Sequence, residues 1–380
     1  MSFKELSIMP DKNGTVLFYP YIPKKSVQII KKTLSTRWIG QGPMVEKFEK
    51  KFSEMFLNGQ ECVSTGSGTD ALHLAYLLAG IKKNDEVIVP VFTCTATNIP
   101  LLYLGAKIKF ADVDPTTMNI SVESIKKIIS NKTKALVCVH YGGIPCEMGE
   151  IRKLAKKYNV KVIEDAAQAI GAEYKNQKVG TISDFTTFSF QAIKHITTGD
   201  GGMLCIKNKK LIDKAKRMRW FGIDRKKKQL GIWKNDVKEI GYKYQLTDLG
   251  ASIGYQGLID FKKVLSHRVK IYKIYLKNLS KNSNITCVHD YDKDKKTAAW
   301  LFTILVKKKN YLQKKLREHQ IETNQVHFRN DKYSIFKKFA KNKIFKNMDK
   351  IENQYLVLPV HTKVKIKDAQ YICELINSLV

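Results

Sequence analysis

From about residue 60 to residue 206, short β-branched runs take turns with amphipathic stretches, and this alternation constrains the fold more than any other feature of the chain. ECVST, EVIVP, IKFADV, ALVCVH, VKVIEDA, FTTFSF and GMLCI read as strands. Between them DALHLAYLLAG, VESIKKIIS and EIRKLAKKY carry apolar residues at helical spacing. Strands joined through helices pair in parallel and are covered on both faces, so the pattern predicts an α/β fold with a mainly parallel sheet flanked by helices. Its active site is expected at the carboxyl ends of strands.

Past residue 257 the alternation stops. A lysine-rich helical stretch, SHRVKIYKIYLKNLSK, leads to the apolar run AAWLFTILV, then to helix patterns in YLQKKLREHQ and AQYICELINSL. At 380 residues the chain exceeds the size at which single cores stop growing. We read residues 1–257 as a large domain and residues 258–380 as a small C-terminal α+β domain attached by a long helix.

Composition limits the function classes. Hydrophobic residues make up 43%, which is incompatible with wholesale disorder despite a net charge of +32. Of the 67 basic residues eight are arginine and 59 lysine. Arginine reads base edges, whereas scattered lysine describes a solvated surface, so no nucleic-acid partner is expected. No run reaches the roughly 20 apolar residues of a membrane span, and MSFKELSIMPDKNG lacks the apolar run of a signal peptide. A cytoplasmic protein without a membrane partner is the expectation. Seven scattered cysteines without ligand spacing argue for reduced thiols, with neither a disulfide framework nor a metal site.

Three segments carry chemistry. In STGSGTDAL, Ser64 to Leu72, a strand ends in a small-residue turn and a helix begins. Gly66 and Gly68 let a ligand approach, Thr69 is placed to cap the helix, and free N–H groups in its first turn suit a phosphate. In VIEDAAQAIGA, Asp165 and Gln168 follow an apolar strand; a carboxylate there needs a cation or serves as a helix N-cap. In FTTFSFQAIKHITTGDGGML, Lys194 is the lone lysine, preceded by Ser189 and followed by three glycines. An amine in apolar surroundings has a lowered pKa and can form a Schiff base; a surface lysine is the plainer alternative.

Together these segments resemble the sugar aminotransferases of the DegT/DnrJ/EryC1/StrS family, which use pyridoxal 5'-phosphate on the type I aminotransferase fold. The resemblance extends to RWIGQGPMVEKFE, RWFGIDR and GYKYQLTDLGASIG, covering most of residues 37–257. It implies that Lys194 bonds the cofactor and shuttles the proton, that Asp165 keeps the pyridine nitrogen protonated, and that Gln168 holds the ring hydroxyl. It further implies that Ser189, Gly68 and Thr69 bind the phosphate, and that residues 1–257 are the cofactor-binding domain. Cys94 stands where most members carry a stacking aromatic ring. Lys243 stands where many have an asparagine that reaches the phosphate of a second subunit, which implies a homodimer. Trp38, Gln41 and His327 fall where the family borders its sugar pocket, and His195 reads as structural.

The reaction so implied moves an amino group from glutamate to a nucleotide-linked keto-deoxysugar, with a 4-keto-6-deoxyhexose as the leading substrate. Amination at the sugar's carbon three is a close alternative. A basic regulator that kept the fold, lost the chemistry and binds nucleic acid is the competing class.

Overall fold

The computed structural model describes residues 14–234 and 236–380; the N-terminal stretch inspected for a signal peptide lies almost wholly outside them. The strands expected from the alternation are present: β1 (Cys62–Thr65), β2 (Glu86–Pro90), β3 (Lys107–Ala111), β4 (Thr133–Val139) and β5 (Lys161–Asp165). After a small hairpin, β6 (Glu173–Tyr174) with β7 (Gln177–Lys178), come β8 (Phe185–Ser189) and β9 (Gly202–Ile206). Without the hairpin, the other seven strands make one sheet in the order β1-β9-β8-β5-β4-β2-β3. The pairs from β8 through β3 are parallel, and β9 runs against both neighbours. The cause is local: residues 190–201 contain no crossover helix, so β8 and β9 can only pair antiparallel.

Successive residues of a strand face opposite sides, and both sides are covered. On β2, Val87 and Val89 join one core while Ile88 joins another with Leu136, Cys138 and Val162. Helix Met148–Tyr158 shows how a flank is built. Met148, Ile151 and Ala155 form its buried stripe, and Asn159 stops it in the left-handed conformation at φ 53°.

The C-terminal part contains a second, antiparallel sheet of β10 (Thr286–Val288), β12 (Phe302–Leu305) and β13 (Tyr355–Leu358); β11 (Lys295–Lys296) pairs instead with β6. One helix, Asp248–Leu279, serves both parts. Thr247 caps it by accepting from the Gly250 N–H at 3.2 Å. Ala251, Leu258 and Phe261 pack beneath the large sheet, and Ile271, Tyr272, Tyr275 and Leu279 pack on the small one. At 32 residues it spans about 48 Å and crosses position 257 unbroken. Among the described residues no helix is long and apolar enough to cross a membrane.

One glycine ties the sheet to the turn after β1. Gly202 pairs with Ser189 on one side and with Thr65 on the other. A Cβ there would stand 2.3 Å from the Ser67 carbonyl oxygen, so only glycine lets that turn lie against the strand.

Candidate active site

The turn after β1 is set by Ser67. Its backbone is extended and its hydroxyl accepts from the Asp70 N–H at 3.0 Å, so Ser67 caps the helix Gly68–Leu78. This corrects the expectation for Thr69, which already lies in the first helical turn and cannot reach back to cap it. Gly66 N–H donates to the Tyr244 carbonyl at 2.7 Å, fixing the turn against the segment before the long helix. Gly68 faces the end of β8: a Cβ on it would come within 3.0 Å of Ser189 Cβ and 3.4 Å of Ser189 Oγ. That oxygen accepts weakly from the Gln191 N–H at 3.3 Å, which leaves its proton available. A helix N-terminus, a bare glycine and a hydroxyl thus converge as an oxyanion or phosphate requires.

Asp165 ends β5 and is buried. Thr97 Oγ1 donates to its Oδ2 at 2.7 Å and the Ala167 N–H to its Oδ1 at 3.1 Å. The chain forms no helix directly after it, which removes the N-cap reading. Burial pushes its carboxyl up, restrained by those two hydrogen bonds and by the charge of Lys194. Among the described residues no lysine or arginine forms an ion pair with it, so a buried carboxylate lacks its cation. Directly behind it the imidazole of His140 accepts the Cys146 N–H on Nδ1 at 3.0 Å, which puts the proton on Nε2 facing Glu164 at 2.9 Å. Glu164 is further satisfied by Thr186.

Gln168 is fixed by its acceptor. Oε1 takes the Gly142 N–H at 2.7 Å, so its amide nitrogen donates to His327 Nε2 at 2.9 Å. His327 Nε2 is therefore unprotonated, in line with burial and the nearby Lys194 charge pulling this imidazole down to about 3.

Lys194 is half-buried with its Nζ 3.7 Å from the centroid of the Trp300 ring. Burial draws the amine down to about 8, helped by Arg268 and opposed by Asp165 and Cys94. Among the described residues no carboxylate pairs with it. His195 turns the other way: it is buried and its Nε2 donates to the Ala298 carbonyl at 2.7 Å. Cys94 is exposed at the start of helix Thr95–Tyr103 and makes no capping bond.

The structure thus gathers Lys194, Asp165, Gln168 and His327 with the Gly68, Thr69 and Ser189 turn. Among the described residues no contact joins Trp38, Gln41 or Lys243 to that group. Trp38 packs at Gly42 under Arg37, and exposed Lys243 lies 5.2 Å from the Phe221 ring. Gln41 lines a separate cavity of about 670 Å³ that also holds the Arg219–Glu49 pair at 2.6 Å.

Two residues escaped the sequence reading. Trp300 sits in AAWLFTILV, where every neighbour is apolar, so the motif looks like core and nothing in its spacing marks a site. Arg268 was traceable: Phe261, Val264, Arg268, Ile271 and Tyr275 recur at helical spacing, which puts a guanidinium on the apolar face. It is buried, its Nη1 reaches the Trp300 carbonyl at 3.4 Å, and its Nε finds no partner among the described residues.

These residues fit pyridoxal phosphate. Asp165 lacks the cation that a protonated ring nitrogen would provide, Lys194 is an unpaired amine, and the Gly68–Ser189 cradle suits the phosphate.

Comparison with known proteins agrees. The model of the DegT/DnrJ/EryC1/StrS aminotransferase family matches residues 20–377. GDP-perosamine synthase of Escherichia coli O157:H7 is 36% identical, with 95% of this chain and 97% of that protein covered. UDP-4-amino-4,6-dideoxy-N-acetyl-beta-L-altrosamine transaminase of Campylobacter jejuni is 34% identical over 94% and 95% of the two chains. The crystal structure of AtS13 from Actinomadura melliaura superposes with a TM-score of 0.92, at 28% identity, covering 97% of this chain and 99% of that one. With its type I fold, its cofactor cradle and a family match over nearly its whole length, the chain belongs to the DegT/DnrJ/EryC1/StrS family and is a pyridoxal-phosphate-dependent aminotransferase.

Proposed function

We propose that the chain moves an amino group from glutamate to a nucleotide-linked keto-deoxysugar, a 4-keto-6-deoxyhexose, with Lys194 as the catalytic amine. The observation that carries the reading is the pairing of an unpaired, depressed-pKa lysine with a buried carboxylate that lacks a cation. Two relatives aligned over more than nine-tenths of the chain, named for nucleotide-linked amino sugars, support the substrate class.

When bound, the cofactor supplies an electron sink for the carbanion. Asp165 holds positive charge at the ring nitrogen, and Thr97 and the Ala167 N–H orient that carboxylate. Gln168, locked by Gly142 and bonded to His327, would hold the ring hydroxyl, and Ser189 with the Gly68–Thr69 turn would hold the phosphate. Lys194, with a pKa near 8, both accepts and returns a proton near neutrality, which is what a shuttle between two carbon acids needs. The +32 charge attracts anionic substrates without selecting among them.

We further propose a homodimer in which Lys243 reaches the cofactor phosphate of the second subunit, while Trp38 and Gln41 border the sugar pocket. Large apolar side chains between Phe221 and Ile240 stand exposed on the single chain, which favours this arrangement.

The test is incubation of cofactor-loaded protein with glutamate and UDP-, GDP- and dTDP-linked 3-keto- and 4-ketosugars, reading product mass and the aminated carbon by NMR. Glutamate should change the visible absorbance of the native protein and not that of Lys194→Ala. An amino group at carbon three, or turnover of none of these sugars, would overturn the substrate assignment.

A further inference from the structure

We propose that Trp300 is a positioning residue that holds the free Lys194 amine over its indole face. This rests on Lys194 being the cofactor lysine.

The contact is direct, at 3.7 Å from Nζ to the ring centroid, and the ring cannot swing away from it. Its Nε1–H donates to the carbonyl of Ile193, the residue before the lysine, at 3.2 Å. Its backbone N–H donates to the Gly142 carbonyl at 2.9 Å, and Gly142 is the residue that locks Gln168. Phe18 stacks on the indole at 5.6 Å and 24°, and His327 lies near-parallel to it at 6.5 Å and 22°. The clamp joins the lysine loop to the residues leading into β12.

An indole face attracts an ammonium through its quadrupole and offers a neutral amine little. The groups facing Lys194 divide: Asp165 and Cys94 favour the ammonium, while Arg268 and burial oppose it. His327 and His195 are both held neutral by burial. Trp300 therefore shifts a balanced site toward the charged amine and fixes where that charge rests when the lysine is not bonded. Arg268 reaches the Trp300 backbone carbonyl, and its charge limits how far the shift goes.

The test reads the amine itself in cofactor-free, full-length protein, so its outcome does not depend on the substrate assignment. Trace acetic anhydride labels wild type, Trp300→Leu, Trp300→Met and Trp300→Phe across pH 6–11, and mass spectrometry follows the peptide bearing Lys194, with exposed Lys127 as internal reference. In the leucine and methionine variants the Lys194 midpoint should fall by about one pH unit, so labelling at pH 7 rises roughly fivefold. Trp300→Phe, which keeps a π face, should retain most of the wild-type midpoint, a rescue that a merely space-filling role does not give. Methionine fills the volume if leucine fails to fold. Unchanged midpoints in the folded aliphatic variants, or a phenylalanine variant that behaves like them, would overturn the proposal.

Discussion

Gly68 and Ser189 face each other across the carboxyl ends of β1 and β8 with no room for a methyl group between them, since a Cβ on Gly68 would stand 3.0 Å from Ser189 Cβ. Gly68 has ordinary helical backbone, so alanine is tolerated by the helix and its cost falls on the cradle. In Gly68→Ala the serine must retreat by a few tenths of an ångström. Cofactor affinity should drop roughly tenfold, the equivalent of one good hydrogen bond, with the melting temperature held or slightly raised. A fluorescence titration of cofactor-free protein measures it; an unchanged affinity would remove Ser189 from the phosphate site.

Asp165→Asn keeps the shape of the side chain and removes its charge. The buried carboxyl is already pushed up, so neutralising it relieves the fold, and thermal stability should not fall. Turnover should drop on the order of a hundredfold or more, because nothing else holds positive charge on the cofactor ring. Steady-state kinetics beside a melting curve separate the two effects.

Lys194 gives a pH prediction of definite sign. Its amine is drawn from the ordinary 10.5 down to about 8, so the folded protein binds this proton less tightly than the unfolded chain. The cost to stability is full below pH 8 and fades between pH 8 and 10.5. Cofactor-free Lys194→Met should therefore melt above wild type at pH 7, with the gap closing as pH rises through that window. Because the side chain is only half-buried, the gap is modest. A gap independent of pH would mean that the lysine's charge is not the cause.

The apolar face of the 221–240 region bears on assembly. Leu230 is 78%, Trp233 72% and Ile240 79% exposed, a concentration of large apolar side chains in one segment that suits an interface. Trp233→Ser combined with Ile240→Ser should convert a dimer to monomer in light scattering behind size exclusion, and should weaken substrate binding with it. Wild type that runs as a monomer would sink the shared-site arrangement.

The large sheet was legible because most of its strands are short apolar runs bounded by turn residues, buried on both faces; β3, at the sheet edge, instead alternates Lys107 and Lys109 with Ile108 and Phe110. The reversal of β9 was also implicit, in the missing crossover helix of residues 190–201. Asp165 and Lys194 drew notice as charged residues in largely apolar segments, and Gln168 was placed by resemblance. The cap was misread because Ser67 and Thr69 are chemically equivalent, and only the extended backbone of Ser67 decides between them. Trp300 was hidden for the opposite reason, an apolar residue among apolar residues whose ring happens to lie under an amine. His327 was placed by resemblance, while its protonation depends on the orientation of Gln168, which no sequence pattern records.

Gly202 touches the β1 turn and pairs with Ser189, so the phosphate cradle and the lysine loop share one backbone hinge with no slack. Lengthening either by a residue would break the other. Insertions and deletions are therefore left to segments outside these two elements, where a descendant can change loop length while the spacing between the turn and the lysine loop stays fixed.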